Sequence, residues 1–160
     1  MKGKVVFGLV LALVAALTVV PSLQAGMNSG GLSLAVTGPI SVVHGQTLKL
    51  TVIGNCTLAP DPNTGAPQSI DWASMQVVVI NPWTGAVISG PTTINVNQNL
   101  TGHGWDQNYN FIPAVPSTPV SVPVAIAKSQ KAGQTLSAVI YGMDNNSKVI
   151  GITGWGFVTQ

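Results

Sequence analysis

The chain has 160 residues, 46% of them hydrophobic and only 6% charged, against about 25% charged in an average soluble protein. It holds six Lys and four Asp, with no Arg and no Glu. Without Arg there is no planar fork for bidentate phosphate or carboxylate recognition, and any carboxylate chemistry must come from four Asp.

Lys2 and Lys4 precede an apolar run from Val5 to Val20, and Pro21-Ser22-Leu23-Gln24-Ala25 ends on a small residue before Gly26. This is the layout of a secretory signal peptide, residues 1–25, with a hydrophobic helix at its centre. A retained anchor is the competing reading, but the run is short against the roughly 20 residues that span a bilayer. A pilin-type leader cut after Gly3 would want an acidic residue early in the run, and none is there. Cleavage leaves residues 26–160 as one domain, secreted or held at the cell surface, whose membrane contact ends with export. That domain sets Lys49, Lys128, Lys131 and Lys148 against Asp61, Asp71, Asp106 and Asp144, a formal charge of zero. The basic footprint that a nucleic-acid binder needs is therefore absent.

Short alternating runs follow, punctuated by Gly, Pro and Asn. Leu32, Leu34 and Val36 share one face of the first. Ile40 to Val43 continues it briefly, and Leu48, Leu50 and Val52 mark a half-buried strand. Residues 55–71, rich in Pro, read as a long loop. Met75 to Ile80 is a dense β-branched run, turned by Asn81-Pro82-Trp83-Thr84-Gly85 into Ala86 to Ser89. Ile94 and Val96 mark a further strand, and residues 97–113 read as a second long polar loop. Val120, Val122, Val124 and Ile126 alternate strictly, with Pro119 and Pro123 placing them at a sheet edge. Leu136 to Tyr141 and Val149 to Val158 form a last hairpin around Asp144-Asn145-Asn146-Ser147, echoing the turn at 81–85. No stretch beyond the leader has helical periodicity. The expectation is an all-β, two-layer β-sandwich of about seven to nine strands.

Gly45-Gln46-Thr47-Leu48-Lys49-Leu50-Thr51-Val52 resembles the second strand of secreted immunoglobulin-like domains. Ala132-Gly133-Gln134-Thr135-Leu136, then Ala138 to Tyr141 and the return through Lys148-Val149-Ile150-Gly151, resembles their closing hairpin. The likeness covers about a third of residues 26–160, and the Cys…Trp…Cys core of antibody domains is missing. It implies an immunoglobulin-like sandwich with a binding or scaffolding role outside the cell, and it brings no catalytic residues.

The remaining chemistry is sparse. Cys56, His44, His103 and a Met would be the ligand types of a mononuclear copper site, but the second His and Met do not follow the Cys in one loop, so no metal and no cofactor are expected. Cys56 reads as a small buried residue, with pairing to another chain as the other option. Asp61-Pro62-Asn63-Thr64-Gly65 starts like a calcium loop without its later acids and reads as an Asx turn. No nucleophile elbow occurs, and His103 with Asp106 is the only close His–Asp pair; no enzyme is expected. The richest segment is 100–111, where His103, Trp105, Asp106 and Tyr109 could stack on and hydrogen-bond a sugar. The plainer reading has Trp105 and Phe111 cap one end of the sandwich. Trp72, Trp83 and Trp155 read as packing residues. Asn55, Asn99 and Asn145 head Asn-x-Ser/Thr sequons compatible with glycosylation.

The expected role is structural or adhesive: a self-assembling filament or surface-layer subunit, pairing through sheet edges with its own kind or another extracellular protein. The stretch 26–37 is an expected strand donor to a neighbour. The alternative is a carbohydrate-binding module built on the loop 100–111.

Overall fold

The computed structural model describes residues 30–160. The leader, its hydrophobic helix and the cleavage position lie outside the described residues. All regular structure among the described residues is extended: β1 (Leu32–Thr37), β2 (Ser41–Val42), β3 (Thr47–Cys56), β4 (Ser69–Ile80), β5 (Val87–Thr101), β6 (Gly104–Trp105), β7 (Phe111–Ile112), β8 (Val120–Ala125), β9 (Thr135–Met143) and β10 (Val149–Thr159).

Two sheets make a sandwich-like body. One has the order β1-β3-β8, the other β2-β10-β9-β4-β5, and β6 with β7 forms a separate small hairpin. Every pairing is antiparallel except β2 with β10. The period-two pattern supplies the inward faces. Leu32, Leu34 and Val36 of β1, Leu48, Leu50 and Val52 of β3, and Val122 and Val124 of β8 are buried against Met75, Val77, Leu136, Ile140 and Phe157 of the larger sheet. Residues 32–37 of the stretch expected to reach a neighbour are thus strand β1 of this chain's own sheet, in register with β3 from Leu32↔Cys56 to Thr37↔Thr51; residues 26–29 lie outside the described residues.

Two sequence expectations need correction. β4 begins at Ser69, inside the expected loop, because a register shift between Trp72 and Ser74 changes which residues face the core. Trp72 points inward on one side of the bulge, and Met75, Val77 and Val79 on the other, so period two is broken there. The runs at 86–89 and 94–96 are one bent strand, which continues through 97–101. Asn97 takes a left-handed φ of 53° in the same irregular stretch, where Ser74↔Asn95 gives way to Trp72↔Gln98.

Trp72 is fully buried and occupies a slot between the sheets that Gly54 makes possible. A Cβ at Gly54 of β3 would lie 2.7 Å from its ring, and one at Gly142 of β9 would meet Leu32 and, at 3.4 Å, the indole Nε1. That Nε1 has no hydrogen-bond partner among the described residues, a defect of about 1–3 kcal/mol. Burying roughly 200 Å² of ring contributes about 5 kcal/mol, so the indole stays inside.

The strands run between two ends about 40 Å apart. The upper end carries the loop 57–68, the β6–β7 hairpin and the β9–β10 turn. The lower end carries the β4–β5 turn, the segments 38–46 and 126–134, and Gln160.

Overpacking the slot should destabilise the domain. Gly54→Ala is expected to lose about 1–3 kcal/mol in urea unfolding. Gly156→Ala, where a Cβ meets nothing within 4 Å, should be neutral or gain up to about 1 kcal/mol.

Candidate functional site

The upper end is built from turns. Asp61 Oδ1 accepts from the backbone N–H groups of Asn63 and Thr64, both at 2.9 Å, and from the Thr64 hydroxyl. The Asp61 N–H donates to Ala66 O, and Gly65 N–H to Asp61 O, with Gly65 at φ 72°. The same turn recurs at the lower end: Asn81 Oδ1 accepts from Trp83 and Thr84 N–H, with Gly85 at φ 70°. The shared pattern is Asp/Asn-Pro-x-Thr-Gly-Ala, at 61–66 and 81–86. A second pair is Asp106–Asn110 and Asp144–Lys148. In each, the carboxylate Oδ1 accepts from the N–H groups two and four residues on. The fourth residue, Tyr109 or Ser147, has φ 60°.

The β6–β7 hairpin leans on the first of these turns. Trp105 N–H donates to Gly65 O at 2.8 Å, and a Cβ on Gly104 would fall 2.5 Å from Pro67 N, so only glycine lets the loops meet. His103, Trp105 and Phe111 form a three-ring cluster with centroids 6.2–6.3 Å apart. Trp105 is 41% and Phe111 60% exposed, so both reach solvent at this end. Tyr109 is 89% exposed at the hairpin tip, outside the cluster. The Trp105 and Phe111 planes meet at 68° and those of Trp105 and His103 at 75°. The rings therefore make a knob rather than a flat platform.

Asp106, read from sequence as a hydroxyl acceptor, is engaged by its own turn: Oδ2 also accepts from the Asn110 side-chain amide at 2.8 Å. Those bonds hold its carboxyl below the usual value of 3.8, the Asn110 side chain contributing most. Asp61 is lowered similarly, chiefly by the N–H of Thr64. Asp71 accepts from the side-chain amides of Asn99 (2.7 Å) and Asn145 (3.2 Å). These amide nitrogens are the ones to which a glycan would be joined. Asn55, on β3, is half-buried. All four carboxylates thus serve local architecture.

Cys56 is buried, 3.6 Å from Gln68 O, which removes its thiol from reach of another chain. His44 lies at the lower end, its Nδ1 3.0 Å from Gln160 O, while Cys56 and His103 are at the upper end. Among the described residues no three His, Cys, Asp or Glu side chains converge as a metal-binding group.

Sequence reasoning missed the lower end. Trp83, read as packing, is 75% exposed at the β4–β5 turn, with Val87 and Ile88 beside it and Ile40 at 73% exposure. The repeated Pro-x-Thr-Gly pattern was the available signal, because a hydrogen-bonded turn fixes its third residue outward. Trp155 is half-buried as expected, its indole N–H donating to Pro39 O at 2.9 Å. Neither a family model nor a curated protein matches the chain.

The turns should make stability acid-sensitive. Asp61 and Asp106 titrate below 3.8 in the folded state, so their contribution is complete above that value. It is lost as the pH falls from 3.8 through the lowered folded values. The thermal midpoint should be flat between pH 7 and about 5 and drop below pH 3.8. Asp61→Asn should keep the turn, as Asn81 does in its counterpart, and flatten that drop in calorimetry; Asp61→Ala should lower the midpoint at pH 7.

Proposed function

We propose that this protein is a secreted or cell-surface structural subunit that assembles with copies of itself. The observation that carries this reading is β5, a strand of fifteen residues with no charged side chain, paired only with β4. From Asn97 onward its free side is guarded: Gln98 exchanges hydrogen bonds with the backbone of Thr118, and Val115 N–H donates to Thr101 O. From Thr92 to Val96 no described residue covers it comparably, and Thr93 and Asn95 are exposed. An edge without charge is open to a strand from another chain.

Other features support the same reading. The leader pattern points to export. Each carboxylate is engaged in a turn or by side-chain amides, and the two histidines lie at opposite ends, an arrangement suited to contact rather than turnover. An immunoglobulin-like topology is part of the proposal. The order β1-β3-β8 corresponds to strands A, B and E of that fold, and β10-β9-β4-β5 to G, F, C and C′. Trp72 then stands on strand C, where such domains carry their buried Trp. Gly54 and Gly142, on strands B and F, take the place of the disulfide cysteines against which it packs.

The purified domain should sediment as concentration-dependent oligomers and give ordered assemblies in electron micrographs. Thr93→Lys/Asn95→Lys should remove lateral association while leaving the unfolding midpoint within about 0.5 kcal/mol. A native protein that stays monomeric at high concentration would refute the reading.

A carbohydrate-binding module is the second reading, favoured by the exposure of Trp105, Tyr109 and Phe111. It requires glycan-array binding that Trp105→Ala abolishes with folding intact.

A further inference from the structure

The surface is sorted along the long axis of the body. All four Asp lie at the upper end: Asp61 and Asp106 in the loop cluster, Asp71 near the start of β4, and Asp144 in the β9–β10 turn. Among the described residues Lys148 is the one cation with them. Lys49, near the start of β3, and Lys128 and Lys131, in the segment after β8, stand toward the lower end, and all three are exposed. Four carboxylates with one ammonium give the upper end a side-chain charge of −3. Three ammonium groups give the lower end +3. A chain with no net charge across residues 30–160 therefore carries a strong axial asymmetry.

The exposed apolar side chains follow the same division. Trp105, Tyr109, Phe111 and Val115 are at the upper end; Ile40, Val43, Trp83, Val87, Ile88 and Val158 are at the lower end. These ten are all the large hydrophobic side chains exposed among the described residues, and none lies on the waist between. At the lower end they fall in two groups, Ile40, Val43 and Val158 beside β2 and Trp83, Val87 and Ile88 at the β4–β5 turn, on opposite sides of the larger sheet; exposed apolar groups collected in this way mark contact surfaces.

The geometry points to a head-to-tail contact in which the upper end of one copy seats on the lower end of the next. This rests on the reading of the protein as a self-assembling subunit and adds the surface and the direction. Charge selects the partner: two upper ends repel, two lower ends repel, and only unlike ends attract. Such complementarity steers and orients, while the aromatic groups supply most of the affinity, Trp and Tyr being the usual anchors of interfaces. A contact between different patches leaves each copy with one free end. It propagates as an open string unless its rotation closes a ring. The string's repeat should be close to the body length, roughly 40–50 Å.

The test uses the Thr93→Lys/Asn95→Lys protein, in which lateral pairing is removed, so remaining association is axial. A lower-end variant adds Trp83→Ser, Lys128→Glu and Lys131→Glu. An upper-end variant adds Gln107→Lys and Tyr109→Ser, serine being the residue that the matching turn holds at 147. Sedimentation velocity of the parent should show a mass that rises with concentration. Its association constant should fall about tenfold between 0.1 M and 1 M salt, as the screening length shrinks from about 10 Å to about 3 Å. Each variant alone should be monomeric, and their equimolar mixture should give a one-to-one dimer that grows no further. A monomeric parent, a dimer that saturates without end variants, or association unchanged in either variant would overturn the head-to-tail contact. If the native protein nevertheless assembles, the self-assembling reading stands and only the axial contact falls; if the native protein is also monomeric, both fall.

Discussion

The sandwich closes around one indole. Trp72 reaches across from the larger sheet, and β3 opposite makes room for it only because Gly54 has no side chain, while Gly142, beside it on β9, leaves room for Leu32 of the facing sheet. Close packing leaves no slack at that point: the ring fixes the approach of β3 to β4, and Gly142 and Gly151 let Leu32 sink against the larger sheet. Its unpaired N–H is tolerated because the apolar area removed from water outweighs the lost hydrogen bond. The rest of the core, from Leu48 to Phe157, is ordinary alternation filling the space that this contact sets.

Much of this was legible from the residues in order. The alternation of Leu48, Leu50 and Val52, the edge position of Val120 to Ile126 and the final hairpin depend on period two alone, and the structure has them where the pattern puts them. What could not be read were places where the ladder slips. The bulge after Trp72 reverses which residues face inward, hiding the first half of β4, and the polar stretch 97–101 pairs with it although only Leu100 among those five is buried. Pairing there is dictated by the partner strand, which no local pattern records.

The candidate site was partly legible for a related reason. Composition marks the segment 100–111 as rich in aromatic groups, and the structure gathers His103, Trp105 and Phe111 at one end. It also engages Asp106 within its own turn, which a list of residue types does not reveal. Trp83 was misread because an indole beside a strand usually packs inward. A six-residue turn with its own hydrogen bonds holds this one outward instead. The axial sorting of Lys and Asp is invisible in the zero formal charge of residues 30–160 and appears only when the strands have directions.

The strand axes run from one end of the body to the other. Tension applied between the two ends would pull neighbouring strands past one another, rather than peel them apart. β2 runs parallel to β10 at Val158↔Ser41 and Thr159↔Val42, with further bonds from Val158 to Ile40 and from Gln160 to Val42. Under such a pull those bonds would be strained together instead of one after another. A fibre of these bodies would resist stretching through shear, and its weakest points would be the junctions between copies rather than the copies themselves.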